Sequence, residues 1–405
     1  MKSDHAASSN DTEFIINQFK KYYLESPPPP PDRFGRREFG FMFFEKEFVQ
    51  RHIAFSKLND LHSFLVSRVP AHVYYSSAYY EFPSAPTMEA KKWLGADLVF
   101  DLDADHLKGA ENLAYGDMLA AVKREIIRLL DDFLMGDLGF SSDSIRIVFS
   151  GGRGYHVHVH DERVIGLKSH ERREIVDYIT GTDLDVEWVF PTEVFEKRQF
   201  KHITKVGISR KIPPLGSVAW RKRFRIGLES LLDEIRDLSI QEMKERYDAL
   251  KSYPDKLIEK MIEDLSDDDW TAARRIFEKN TLEVFSSDKI RELFVNFAFN
   301  TLKSRMAGHV DEPVTSDIKR LIRLPFSLHG KTGLVVVGMD RDGLDKFEPL
   351  RDAVPKIFAD DPVRIHVHRR VDIRLKNERF VLEGDTEVPT FAALFLICRK
   401  EATLA

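Results

Sequence analysis

The sequence predicts an α+β protein: a β-rich lobe interrupted by an all-α helical subdomain, after which the chain returns to sheet. Three observations predict this. Strand-like runs crowd the first hundred residues. Consecutive amphipathic segments with almost no strand signal fill residues 224–306. Sheet patterns resume after residue 330. The expected organisation is a discontinuous α/β domain of residues 1–223 and 307–405 around a helical subdomain of residues 224–306.

"FIINQFKKYYLE" reads as an N-terminal helix. "SPPPPPDRFG" (26–35) follows; proline fixes φ and removes a donor, so this segment is a stiff polyproline II link. "REFGFMFF", "VQRHIAF", "AHVYYSSAYY" and "ADLVFDLDA" are strand-like. Residues 117–134 are helical by period, with Met118, Val122, Ile126, Leu129 and Phe133 on one stripe and Gly136 and Gly139 as stops. "IRIVFSGGRGYHVHVH" is strand, glycine turn and strand. Residues 310–333, "VDEPVTSDIKRLIRLPFSLHGKTG", read as a strand end, a turn at Pro313, and a short helix. That helix is capped by Thr315, carries Ile318, Leu321 and Ile322, and stops before Pro325. "GLVVVGMD", "RIHVHRRVDIRL" and "RFVLEG" are strands, and "TFAALFLICRK" is a helix packed on the core.

The chain has 405 residues, 43% hydrophobic and 31% charged, with a net charge of −5, which suits a soluble globular protein. No run is long enough to span a membrane, and the polar start "MKSDHAASSNDTEF" lacks the apolar core of a secretory signal. The single cysteine, Cys398, excludes an intrachain disulfide and a multi-cysteine zinc site. Its setting, "FLIC", suggests a buried thiol. These features fit the cytoplasm. A phosphate-rich partner would be held by a local basic patch; the tracts at 196–211 and 220–225 are either solvated faces or such patches.

"VFDLDADH" (99–106) crowds three aspartates after an apolar run. Strand side chains alternate, so Asp101 and Asp103 share a face, about 7 Å apart by strand rise. A divalent cation would relieve their repulsion, and Mg²⁺ takes one or two carboxylates plus substrate phosphates. Asp105 belongs where the strand ends, and a loop-capping role is expected for it.

"SGGRGYHVHVH" (150–160) is the second element. Its glycines allow close backbone approach to a phosphate, with Ser150, Arg153 and His156 around one turn. His158 and His160 share the face of His156 and read as ordinary polar positions on a half-exposed strand. In the third element, Asp311 is either a further carboxylate for Asp101 and Asp103 or a helix-start carboxylate satisfied by backbone N–H groups. Arg323, His329 and Lys331 offer positive donors or, equally, surface ion pairs.

Together and in this order, "REFGF" with "RHIAF", "LVFDLDAD", "SGGRGYHVHV" and "LIRLPFSLHGKTG" resemble the catalytic small subunit of archaeal and eukaryotic DNA primases, more closely the archaeal form. The resemblance spans roughly residues 15–335 and is less distinct over the last seventy. It implies that Asp101, Asp103 and Asp311 bind catalytic Mg²⁺ or Mn²⁺. It further implies that Ser150, Arg153 and His156 contact the phosphates of an incoming nucleotide, and that Arg323, His329 and Lys331 complete that site. Glu38 and Arg51 fall on the N-terminal motif as weaker candidates. The chain departs from the family twice. Gly152 stands where eukaryotic relatives often have a second arginine, and the cysteine/histidine zinc knuckle of many relatives is absent, since no cysteine lies between residues 104 and 150.

The implied activity is de novo synthesis of short primers from NTPs or dNTPs on single-stranded DNA by a two-metal mechanism. The implied partner is the large primase subunit, which carries an iron–sulfur cluster that this chain lacks the cysteines to hold. Two other readings explain part of the pattern: another Asp-x-Asp metal-dependent transferase, and a non-catalytic nucleic-acid-binding subunit.

Overall fold

The computed structural model describes residues 9–107, 109–200, 203–266, 270–358 and 360–405, and the side chains of residues 195–208 lie outside that description. The basic tract at 196–211 therefore falls largely outside it. In chain order the strands are β1 (Phe39–Met42), β2 (Gln50–Ile53), β3 (His72–Ser76), β4 (Ala78–Tyr80), β5 (Trp93–Ala96), β6 (Leu98–Asp103), β7 (Ile145–Phe149) and β8 (Gly154–Val159). They continue with β9 (Thr192–Phe200), β10 (Ile203–Arg210), β11 (Leu321–Arg323), β12 (Val337–Met339), β13 (Pro362–Leu375), β14 (Glu378–Pro389) and β15 (Ala402–Leu404). With helices interspersed, the fold is α+β. Among the described residues no helix is long and apolar enough to cross a membrane.

The chain forms two compact units. The first comprises Met1–Asp131, Gly139–Val176 and His309–Ala405. It holds two four-stranded antiparallel sheets, ordered β11-β3-β1-β2 and β12-β7-β8-β6. Tyr75 of β3 stacks on His158 of β8, with ring centroids 6.4 Å apart and planes 4° apart, so the two sheets meet face to face there. β6 alternates as its sequence requires: Phe100 and Leu102 are buried on one face, Asp101 and Asp103 half-buried on the other. Against the apolar face packs the helix Tyr115–Arg128, through Met118, Leu119, Val122 and Ile126. A three-stranded sheet, β14-β13-β15, and the wholly buried helix Thr390–Cys398 close this unit. Cys398 is buried, and burial pushes its thiol pKa up, as expected for an unreactive thiol.

The second unit comprises Asp132–Leu138 and Asp177–Gly308. It contains the β9–β10 hairpin and the helices Ala219–Ile235, Ile240–Arg246, Asp255–Leu265, Thr271–Lys279 and Asp288–Met306. A side chain at Gly227 would put its Cβ 2.0 Å from Met306 Cε and 2.9 Å from Leu302, so glycine is what lets the first and last of these helices approach. The stretch "WRKRFR" is partly internal: Trp220 is buried, Arg223 pairs with Asp137 at 2.7 Å, and Arg225 bonds Asn280 at 2.6 Å.

Three local expectations are corrected. The segment after Asp311 is not one helix capped by Thr315: a helix spans Glu312–Ser316, and Leu321–Arg323 is the edge strand β11. Its three residues pair with β3, Leu321 opposite Ser76 and Arg323 opposite Tyr74, and that pairing outweighs the helix-like spacing. His158 is not on a half-exposed strand, because β8 is central between β7 and β6 and every one of its residues is buried. The loop cap after β6 comes from Asp103, whose Oδ1 accepts from the Asp105 backbone N–H at 3.2 Å.

Candidate active site

Asp101 and Asp103 project from the end of β6, opposite His156 and Gly154 of β8. The His156 Nε2 lies 3.4 Å from Asp101 Oδ1. Burial raises the Asp101 pKa, and the neighbouring Asp103 and Asp311 add to the rise against His156 and Arg320. Asp311 joins the pair through its backbone: its N–H donates to the Asp101 carbonyl at 3.0 Å. Asp311 is the N-cap of the Glu312–Ser316 helix, yet its side chain makes no cap hydrogen bond. The carboxylate is thus left over from helix capping.

Arg153 leans back from the glycine turn over the acidic strand end. It pairs with Asp105 and lies 3.6 Å from Asp103. The turn is built on Ser150, whose Oγ accepts from the N–H groups of Gly152 and Gly154, each at 3.3 Å. Gly154 is obligatory there, since a Cβ would sit 2.4 Å from the Leu102 carbonyl. Gly151 has φ +75°, and its Cβ would meet that of His329 at 2.7 Å. At Gly152 a Cβ would come within 3.0 Å of His329 Nε2. The glycine that departs from the eukaryotic pattern therefore makes room for that imidazole.

The loop after β11 brings the remaining candidates. His329 Nδ1 accepts from the Lys331 backbone N–H at 3.3 Å, so the neutral ring carries its proton on Nε2. Burial, with Arg323, His72 and Lys331 adding, holds the His329 pKa well below that of a free imidazole. Burial likewise lowers that of His156. Thr332 Oγ1 donates to the Gly151 carbonyl at 2.5 Å and ties the loop to the glycine turn. Arg323 donates to His72 Nδ1 at 2.7 Å, and the Gly330 N–H donates to the same nitrogen at 3.2 Å. Burial between Arg323 and Lys331 lowers the His72 pKa to about 2. Lys331 is exposed on the turn.

The structure therefore gathers Asp101, Asp103, Asp311, Ser150, Arg153, His156, Arg323, His329 and Lys331 around one sheet end. Glu38 and Arg51 are engaged elsewhere. Glu38 is fully buried, takes Arg51 at 3.1 and 3.2 Å, and has Lys91 at 3.8 Å. His72, Thr332 and Tyr115, whose hydroxyl donates to the Gly152 carbonyl at 2.5 Å, carried no sequence signal. Asp97, His158 and His160 form a separate group with ligand atoms within 4.8 Å of one another, a set compatible with a divalent metal.

Comparison with known proteins bears directly on this geometry. The family model described as DNA primase small subunit matches residues 100–341, which contain all nine gathered residues. The DNA primase small subunit PriS of Methanocella arvoryzae is 43% identical over 398 residues, covering 96% of this chain and 97% of that protein. The PriS proteins of Methanothrix thermoacetophila and Halorubrum lacusprofundi are 37% and 39% identical, covering 96% and 97% of this chain and 98% of each relative.

Proposed function

This chain belongs to the DNA primase small-subunit family and is a DNA primase nucleotidyltransferase, and from that premise we propose that primer synthesis runs on Asp101, Asp103 and Asp311. The observation that carries the reading is the Asp311–Asp101 backbone hydrogen bond at 3.0 Å, combined with an Asp311 carboxylate not used by its own helix. Three carboxylates offer only oxygen, a donor set suited to Mg²⁺ or Mn²⁺. Bound there, such ions supply charge for a nucleotide 3′-OH to ionise and for pyrophosphate to leave.

The protein's own groups do the rest. Arg153, Arg323 and Lys331 balance the triphosphate charge as it redistributes. His156 and His329, held neutral by burial, serve as hydrogen-bond partners without adding charge. Ser150 holds the turn whose glycines admit a phosphate to the backbone. Arg153, now paired with Asp105, exchanges that partner for phosphate oxygens.

The substrates in this reading are NTPs or dNTPs and single-stranded DNA, and the setting is the cytoplasm at the replication fork. The relatives' name, small subunit, supports a heterodimer with a large subunit. That partner would carry the iron–sulfur cluster and hold the initiating nucleotide. The test uses the chain with its large subunit, single-stranded DNA, labelled NTPs and Mn²⁺. Asp101→Asn and Asp311→Asn should each abolish template-dependent product while DNA binding persists. Synthesis that survives either change overturns the assignment.

A further inference from the structure

The face of β6 and β8 that carries the aspartates continues, at its other end, into a different kind of constellation. Asp97 stands one residue before β6 and His160 one residue after β8, so the Leu98–Val159 pairing sets them side by side. His158 lies two residues back along β8. His160 Nδ1 is 3.1 Å from Asp97 Oδ1, and the ligand atoms of all three residues lie within 4.8 Å of one another. Two ligands of a tetrahedral zinc, each about 2.0–2.1 Å from the metal, stand roughly 3.3 Å apart. The first pair, hydrogen-bonded to each other without metal, is already near that separation, so an ion would replace the proton they share, and the third residue needs a shift of at most about 1.5 Å to reach it.

His158 supplies the independent observation. It is 1% exposed, and its Nε2 has no hydrogen-bond partner among the described residues. Leaving a buried polar atom unpaired is costly and calls for a missing partner.

The carboxylate is prepared in the manner of a metal ligand. Arg37 holds Asp97 Oδ2 at 2.7 Å, and the Tyr79 hydroxyl donates to Oδ1. Ligating carboxylates are oriented by such outer contacts. The charge of Arg37 opposes a bound cation, so affinity falls short of a closed structural zinc site. Beside the group lies a cavity of about 780 Å³ lined by His158, His160, Arg37, Tyr75 and Arg146. His158 and His160 both line this cavity, so solvent from it could supply a fourth ligand.

We propose that Asp97, His158 and His160 bind one divalent transition ion of the zinc class, in an open site that clamps the start of β6 to the end of β8. Two imidazoles and one carboxylate select Zn²⁺ or Co²⁺ over Mg²⁺, so the site is chemically separable from the oxygen-only aspartate group.

The experiment is a Co²⁺ titration of the EDTA-stripped full chain, read by visible absorption. Wild type should develop the strong band of tetrahedral Co²⁺ at one equivalent, and Zn²⁺ should displace it. The Asp101→Asn, Asp103→Asn double variant should keep the band. His158→Phe, which preserves the stack on Tyr75, and His160→Asn should lose it or weaken binding by at least about tenfold. The His160 side chain is 30% exposed, so His160→Asn keeps the test valid should His158→Phe unfold. The proposal is overturned if wild type gives no such band, as when water alone partners His158. It is equally overturned if the band survives in both histidine variants or vanishes in the aspartate double variant.

Discussion

The backbone N–H of Asp311 donates to the carbonyl of Asp101 across 3.0 Å, so the third carboxylate is delivered to the acidic pair by main chain and not by side-chain contact. The acidity of Asp311 can therefore be removed without removing its position. Asp311→Asn should cost primer synthesis at least on the order of 10³-fold, the scale of losing a group that meets developing charge, which takes template-dependent product below detection. In metal-free buffer the same change should raise the melting temperature, because it relieves the repulsion that lifts Asp101. Activity with NTP and template, together with thermal unfolding in EDTA, reads both effects.

The raised Asp101 pKa sets a sign for pH dependence. Its folded value lies above the ordinary 3.8. Its contribution to metal-free stability is thus fully present below that unfolded value and is lost as pH rises through the raised one. The difference in melting temperature between wild type and Asp101→Asn should follow that course, with Asn as the flat reference. A difference independent of pH would contradict it.

Buried histidines act in the opposite direction. His72 falls from 6.5 to about 2, and His156, His158 and His329 are lowered by burial as well. For a base with a depressed folded pKa, stability is full above 6.5 and declines as pH falls below it. Each such histidine contributes a slope of up to about 1.4 kcal/mol per pH unit. Urea unfolding between pH 7 and 5 should show that decline, and His72→Asn should remove one share of it.

His72 also orients Arg323. His72→Ala should raise the KM for nucleotide about tenfold, the worth of one charge-assisted hydrogen bond, with a smaller change in kcat. His72→Asn keeps an acceptor near Nδ1 and should recover most of the loss. Equal kinetics in all three proteins would remove His72 from nucleotide positioning.

Gly154→Ala should destabilise the first unit by about 1–3 kcal/mol, since the new methyl meets the Leu102 carbonyl in a rigid ladder. Denaturant midpoints measure this. Gly152→Ala should be milder in stability and sharper in nucleotide KM, because its Cβ meets the movable His329 ring.

Much of this was legible in residues. The alternation of "LVFDLD" put Asp101 and Asp103 on one face, and 3.6-residue periods located helices between 224 and 306, the first of which begins at Ala219. What escaped was decided by tertiary pairing. Leu321–Arg323 has helix-like neighbours and becomes a strand only because β3 offers an edge. His158 alternates like a half-exposed residue, yet the opposing sheet covers it. His72 and Thr332 matter through what stands across from them, and no local pattern encodes that. Asp311 was placed beside the pair by resemblance to a family, since nothing in its spacing from Asp101 measures distance in space.

The Asp101–Asp311 bond has a consequence for the birth of the protein. Roughly two hundred residues of synthesis separate its two ends, and β11 likewise waits for β3; contacts of such sequence separation form late. On the ribosome the acidic strand emerges long before its third carboxylate. On the three-aspartate reading proposed above, a nascent or truncated chain ending before residue 311 should be inert, and nucleotidyl transfer should begin only after that residue has emerged.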